Sequence, residues 1–237
     1  MAPVLREVNQ DFFKKWTPTM AYVLGYFAAD GTMFENKRGG RYIEFHSTDK
    51  CLIEMTRLAL KSNHRIGIRI PTLKQKDHKI AYRLQIGSKM IFSNLTALGF
   101  VQNKSNVLAL PHIPKRYLGD FVRGYFDGDG CVYFKKHQAK DRKVPRYVFA
   151  TRFTCGSRAF LVSLLENLKS RGVKGGLVME KYNSGYELVF SHRDSIALFH
   201  LMYNTVPDDG LYLARKFQKY QLALRTLYGK NAGVAQR

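Results

Sequence analysis

The feature that most constrains this chain of 237 residues is that it repeats itself. The stretches MAYVLGYFAADGTMF (20–34) and GDFVRGYFDGDGCVYF (119–134) share the core Gly-Tyr-Phe-x-x-Asp-Gly, at Gly25 to Gly31 and again at Gly124 to Gly130. Five identities in seven positions, at one offset of 99 residues, mark a duplication. More follows downstream, with insertions shifting the register. The strand pattern at 41–46 has a partner at 146–154, and the two run into polar breaks at Ser47-Thr48-Asp49 and Cys155-Gly156-Ser157. Amphipathic stretches come next, with Asp49 and Ser157 placed to cap them. The apolar alternations Ile66/Ile68/Ile70 and Tyr82/Leu84/Ile86 are mirrored by Leu177/Met179 and Tyr186/Leu188/Phe190, and helical segments close each half near 90–98 and 195–203. The order helix, two strands, helix, two strands, helix is an α+β unit built twice: residues 1–105, a linker at 106–114, and 115–237.

Alternation also assigns strand faces. Ile43 and Phe45 point one way while Tyr42, Glu44 and His46 point the other; Tyr147, Phe149 and Phe153 oppose Arg146, Arg152 and Thr154; Arg65 and Arg69 are the polar side of 66–70. One sheet face is therefore core, and the other is polar and often basic. A solvated face would be polar too, but here the pattern recurs in a chain with 39 Lys and Arg against 18 Asp and Glu, a net charge of +21. A globule tolerates that self-repulsion most readily opposite a polyanion, and sheets of this kind read nucleic acid. No apolar run reaches the length of a membrane span, and MAPVLREVNQ lacks the basic start and apolar core of a signal peptide. Cys51, Cys131 and Cys155 form no Cys-x-x-Cys, which suits a reducing intracellular compartment, cytoplasm or organelle matrix, and offers no zinc site.

Thr17-Pro18 starts the first repeated helix well; the second copy, after Pro114, starts less sharply. Small residues recur every fourth position, Ala21, Gly25 and Ala29 in one helix and Gly124 and Gly128 in the other, which lets two backbones approach closely. Packing the helices on each other brings Asp30 and Asp129 together. Two carboxylates at adjacent helix C-termini repel each other and the partial negative charge of the helix ends. A divalent cation relieves this, and Mg²⁺ favours one or two carboxylates completed by phosphate oxygens and water. A lone Asp-Gly would simply end a helix; two at equivalent positions point to an ion.

The segments VLGYFAADG (23–31) and VRGYFDGDG (122–130) resemble the two motifs of the LAGLIDADG homing endonucleases in their single-chain form, and the closing stretch LYLARKFQKY (211–220) fits the same family. The resemblance implies duplicated αββαββα half-domains related by a pseudo-twofold axis. Two antiparallel four-stranded sheets would form a saddle over double-stranded DNA, with the monomer complete in one chain. It implies an intron-encoded, site-specific enzyme whose hydrolysis across the minor groove depends on Mg²⁺ and leaves short 3′ overhangs. Mn²⁺ would substitute, and Ca²⁺ would support binding without cleavage. Asp30 and Asp129 would be the catalytic metal ligands, with the carbonyls of Ala29 and Gly128 completing the shell; Lys89 and Arg193 would be the basic residues that stabilise the phosphorane charge. His46 or Ser47 in one half, and Thr154 or Cys155 in the other, would position water. Ala28 departs from the motif where Asp127 keeps its first acidic residue, and the metal positions are spared.

Alternation selects the DNA contacts: Phe34, Asn36 and Arg38 after Asp30; Tyr133, Lys135 and His137 after Asp129; and Tyr42, Glu44, His46, Arg65, Arg69, Arg83, Gln85, Arg146, Arg152, Thr154 and Glu180. Lys74, Lys76, Lys135 and Lys136 are loop or strand-end charges that contact phosphate or water. The rival reading is an RNA-binding maturase that aids group I intron splicing; intact Asp30 and Asp129 favour the nuclease over it and over a DNA-binding regulator. A chain that starts with Met and ends Val-Ala-Gln-Arg does not read as an intein. The target is a duplex of roughly two helical turns, and residues 229–237 are a polar, frayed tail.

Overall fold

The structure is a computed structural model that describes residues 6–71, 79–138, 144–181, 185–204 and 210–229. Lys74, Lys76, the first five residues of the N-terminal stretch and the tail beyond Gly229 lie outside the described residues. The first half runs α1 (Pro18–Asp30), β1 (Gly31–Glu35), β2 (Arg41–Ser47), α2 (Lys50–Ala59), β3 (Ile66–Arg69), β4 (Ala81–Gly87) and α3 (Lys89–Ala97). The second repeats it as α4 (Leu118–Asp129), β5 (Gly130–His137), β6 (Arg146–Cys155), α5 (Arg158–Lys169), β7 (Leu177–Glu180), β8 (Tyr186–Ser191) and α6 (His192–Tyr203). A further helix, α7 (Ala214–Tyr228), follows the duplicated unit. The strand orders β1-β2-β4-β3 and β5-β6-β8-β7 are identical, and every pairing is antiparallel.

The two halves meet through α1 and α4, and glycine decides how closely. A Cβ on Gly25 would fall 2.0 Å from the carbonyl oxygen of Phe121, and one on Gly124 would fall 1.9 Å from that of Tyr22. The contact is therefore backbone on backbone at both crossing points, as the small-residue spacing predicts. Around it lies one continuous core with Tyr22, Tyr26, Phe27, Tyr125, Phe126, Phe45 and Phe153 all fully buried. Burial of aromatics of this size dominates the packing energy.

The helix starts follow their sequence signals in part. Thr17 Oγ1 accepts the Met20 N–H at 3.0 Å, and Ser157 Oγ accepts that of Phe160 at 3.3 Å. Asp49 stands at the N-cap of α2 but makes no cap bond; its carboxylate takes Arg215 of α7 in a bidentate pair at 2.6 and 2.8 Å. A charge-assisted fork outcompetes a single backbone N–H. The helix after Pro114 begins with a short 3₁₀ turn and has no side-chain cap, the blunter start expected.

One strand departs from the expected phase. Val178 pairs with Leu188 and packs on the core, so Leu177 and Met179 face the other way. A one-residue offset moves every side chain of a strand to the opposite face. Leu177 and Met179, expected to mirror the core-facing Ile66, thus stand on the open face, and Glu180 shares the core-side face with Val178 and Tyr186. Glu180 is removed from the set of nucleic-acid contacts on that ground.

Candidate active site and nucleic-acid interface

Asp30 and Asp129 close α1 and α4, and each is followed at once by a strand. Because the helices touch at Gly25 and Gly124, their last turns stay together. A Cβ on Gly128 would meet Ala29 Cβ at 2.5 Å and Asp30 Oδ2 at 3.1 Å, so the Asp30 carboxylate lies against the backbone that carries Asp129. Burial and the neighbouring Asp129 push Asp30 up to about 7, against the pull of Lys216 and Lys104. Burial raises Asp129 as well, with Lys104, Lys216 and Lys181 opposing it.

The two lysines nearest this pair are ones the sequence reading did not select. Lys104, in the turn after α3, and Lys216, in the first turn of α7, are both buried, at 5% and 7% exposure. Lys104 Nζ donates to the carbonyl of Ala28 at 2.8 Å. Lys216 Nζ donates to the carbonyls of Phe126, Asp127, Gly128 and Gly130 at 2.6 to 3.0 Å. Ala28 and Asp127 are equivalent motif positions, so the two lysines occupy corresponding places at the ends of α1 and α4. A cation there answers the partial negative charge of the helix C-terminus. Burial lowers Lys104, and lowers Lys216 to about 8.

Lys89 and Arg193 are not part of this arrangement. Both are exposed at the starts of α3 and α6. The strand that leads to Lys89 runs away from the carboxylates: Gly87 pairs with Tyr42, whereas Gly31, next to Asp30, pairs with Phe45. At about 3.3 Å per residue this places Gly87 roughly 10 Å along the sheet, with Lys89 two residues farther on. Arg193 follows Ser191, which pairs with Ala150, and is carried outward in the same way.

The strand-end polar residues behave differently from what was expected. Ser47 Oγ accepts the Asp49 N–H at 3.0 Å, and Cys155 Sγ accepts the Ser157 N–H at 3.4 Å. Both shape the turn into the next helix, which explains why a cysteine can stand in for a serine. His46 Nε2 lies 2.9 Å from Glu44 Oε2; Thr154 Oγ1 donates to the Asp129 carbonyl at 3.0 Å. Matching bonds tie helix to sheet in each half: Tyr26 Oη donates to the His46 carbonyl and Tyr125 Oη to that of Thr154, both at 2.7 Å.

The open sheet faces carry most of the expected contact residues. Phe34 stacks on Tyr42 at 5.2 Å, and the Arg152 guanidinium lies 5.0 Å over the Tyr133 ring. Register places Arg83 and Gln85 beside His46 and Glu44, and Lys135, His137, Arg146, Arg152 and Thr154 together in the second half. Arg65 and Arg69 stand exposed at the two ends of β3. A groove of about 470 Å³ runs between His46, Gly67, Arg69 and Arg83. Glu44 is only 8% exposed, held by His46 and by Arg83 at 3.5 Å. Asn36 is committed to the hairpin: its Oδ1 accepts the Arg38 and Gly40 N–H groups at 2.9 and 2.8 Å. Arg38 sits exposed at that tip.

Asp127 carries none of this chemistry. It is 2% exposed and accepts the Tyr22 hydroxyl at 2.7 Å and the Leu213 N–H at 2.8 Å, both on Oδ2. Burial pushes it up to about 6, against those bonds and Lys216. Beside it, Arg123 pairs with Asp120 at 2.8 Å and donates to the carbonyls of Met202 and Leu211.

Twin αββαββα halves joined through their first helices, with paired carboxylates between two open four-stranded sheets, define the LAGLIDADG class of fold. Residues 17–97, the bounds of the first half from the cap of α1 to the end of α3, match the LAGLIDADG-like domain, and the whole chain has the fold of the single-chain LAGLIDADG homing endonucleases. It is similar to the meganuclease I-SmaMI bound to uncleavable DNA (12% identity, TM-score 0.58, 92% of this chain and 94% of that one). It is also similar to the homing endonuclease I-WcaI bound to its DNA recognition sequence (16% identity, TM-score 0.57, 88% and 91%). An uncharacterized protein of Methanocaldococcus jannaschii is 21% identical over 189 residues, 77% of this chain; the match spans 65% of that relative's length. No helix among the described residues is long and apolar enough to cross a membrane.

Proposed function

We propose that this protein is a site-specific endonuclease that lays its two sheets along duplex DNA and hydrolyses both strands between them. The observation that carries the proposal is the pair Asp30 and Asp129, half-buried at adjacent helix ends and pushed toward neutrality, in the middle of two polar, basic sheet faces. DNA-bound I-SmaMI and I-WcaI, with this fold, support the choice of ligand.

The residues present fit a divalent cation. Two hard carboxylate oxygens that repel each other favour an ion of this kind. No cluster of three or more His, Cys, Asp or Glu side chains suited to a metal exists among the described residues, so phosphate and water would supply the rest, as Mg²⁺ prefers. The Gly128 carbonyl, expected as a ligand, also accepts Lys216 at 3.0 Å, so it would share its oxygen between the ammonium and the ion, whereas the carboxylates and the Ala29 carbonyl would face the ion without that competitor. When bound, a divalent cation would lower the pKa of attacking water and offset charge on the leaving oxygen. I-SmaMI has been described on uncleaved DNA in the presence of calcium ions, in line with Ca²⁺ supporting binding alone.

The chain's own part is placement. The α1–α4 contact fixes the positions of the Asp30 and Asp129 carboxylates, which would hold a divalent cation beside the reacting phosphates. Lys104, which makes one hydrogen bond to the protein, keeps ammonium protons free for a phosphate oxygen, whereas Lys216 is held by four carbonyls and fixes the end of α4. The open faces select the sequence.

The test is a cleavage selection from a random duplex library in Mg²⁺, with Asp30→Asn run in parallel. We expect one enriched motif of about two helical turns, cut only by the wild-type chain, with 3′ overhangs. Retention of structured intron RNA without any duplex cleavage would overturn the reading.

A further inference from the structure

The two open faces are built from the same strands, and their outer strands differ in chemistry. Register superimposes Gln85 of β4 on Val189 of β8, because each lies opposite the fourth-from-last residue of its neighbour, Glu44 or Arg152. By the same rule Arg83 corresponds to Glu187, Gly67 to Met179, and Arg65, one residue ahead of β3 and in line with Gln85, to Leu177. Where the first half presents Arg65, Arg83 and Gln85 around Gly67, the second presents Leu177, Glu187 and Val189 around Met179, so three of the four second-half positions are apolar. Leu177 is 60% exposed and Met179 43%. Neither packs on the core, although Val178 between them does.

Further out, Val148 joins them at 41% exposure, on the same face as Lys135 with which it pairs. The patch is continuous with the basic face rather than set apart from it. Arg152 lies directly opposite Val189, and Lys181 continues the line of Leu177 and Met179. Apolar side chains inside a cationic nucleic-acid face need an apolar group on the nucleic acid, and in the major groove of unmodified DNA only thymine offers one, its 5-methyl.

We propose that Leu177, Met179 and Val189 read thymine methyl groups in one arm of the target, while Arg65, Arg83 and Gln85 read the other arm through hydrogen bonds. The assignment rests on the duplex-DNA reading above. It makes the two arms unequal in kind: one is selected by shape and desolvation, the other by donors and acceptors.

Deoxyuridine differs from thymidine only by that methyl, which gives a direct test. A bound motif is first selected from random duplexes in Ca²⁺, and then each arm is resynthesised with uracil at every thymine. Affinity should fall about fourfold for each contacted methyl, roughly fifteenfold for two, in one arm only. In the Leu177→Asn/Val189→Thr variant, whose changes lie on the exposed face, that same arm should lose its preference for thymine over uracil while the other arm is read as before. Thermal midpoints for both proteins control for folding. Tight binding with no thymine–uracil difference in either arm would overturn the methyl assignment and leave the DNA reading standing. Failure to bind any duplex would overturn both. A wild-type dimer that the double substitution disperses in sedimentation would assign the patch to a self-contact and overturn the proposal as well.

Discussion

The first half and the second share every strand pairing and the three helices of the repeated unit, yet the ends of their motif helices are secured in unlike ways. α1 carries Leu24 and Ala28 where α4 carries Arg123 and Asp127, and only α4 is tied by a buried polar network to Met202, Leu211, Leu213 and Lys216. Duplication supplied two equal scaffolds. The extra helix α7 then gave the second half partners that the first lacks, and polar residues accumulated where those partners could satisfy them. Buried charges persist only where each is paired or hydrogen-bonded. Symmetry survives where backbone geometry enforces it and lapses where side chains can find new partners.

Four measurements press on that comparison. The largest effect should be the most symmetric: Asp30→Asn and Asp129→Asn should each lower double-strand cleavage at least about a thousandfold while leaving DNA affinity within about threefold. Wild-type rates from either variant would show that one carboxylate suffices. Next is the contact between the halves. Gly25→Ala and Gly124→Ala should each remove more than about 3 kcal/mol in denaturant unfolding, because the new methyl meets backbone oxygen and not a yielding side chain. A loss under about 1 kcal/mol would mean the helices can part.

The lysines should then separate the halves. Lys216→Met should cost about 3 kcal/mol of stability, taking one donor from four carbonyls at once, while Lys104→Met should cost about 1 kcal/mol and chiefly lower the cleavage rate. Equal stability losses would restore the symmetry argued against here. The smallest effect is a pH dependence. A carboxyl whose pKa is raised by folding stabilises the native state fully below its unfolded value and loses that contribution as pH rises through the folded value, about 7 for Asp30. In EDTA, Asp30→Asn should therefore equal wild type near about pH 3.5, gain on it as pH rises from about 4 to about 7, and be more stable by about 2 kcal/mol at about pH 8. A constant difference across that range would remove the electrostatic explanation.

Much of this molecule was legible before its coordinates. The repeat fixed the pseudo-symmetry, because one supersecondary unit written twice leaves few ways to pack. Gly25 and Gly124 announced the helix crossing, and strict alternation in β2 and β6 gave the right faces. The phase of β7 was misread because Leu177 and Met179 alternate as a core strand would; the intervening Val178 is also apolar, and periodicity alone cannot choose between them. Lys104 and Lys216 were missed for a different reason. They lie at unequal distances after the two aspartates, one in a short turn and the other in an unduplicated helix, among 39 cationic residues. Lys89 and Arg193 came from the family resemblance, as the basic residues just before the late helix of each half, and the outward run of their preceding strands carries both away. Asn36 and Asp49 show a third limit. Each has the chemistry for the role first given it, and each found a stronger local partner.

The crossing of α1 and α4 has one more consequence. Because backbone meets backbone there, no rotamer change or core repacking can widen or narrow the junction. The span from one reading surface to the other is thus a built-in ruler, with a length that evolution can reset only by replacing a glycine. A ligand lying across both surfaces must present its two tracts at that single spacing. A target lengthened by one base pair at its centre should be rejected even when every contacted base is correct.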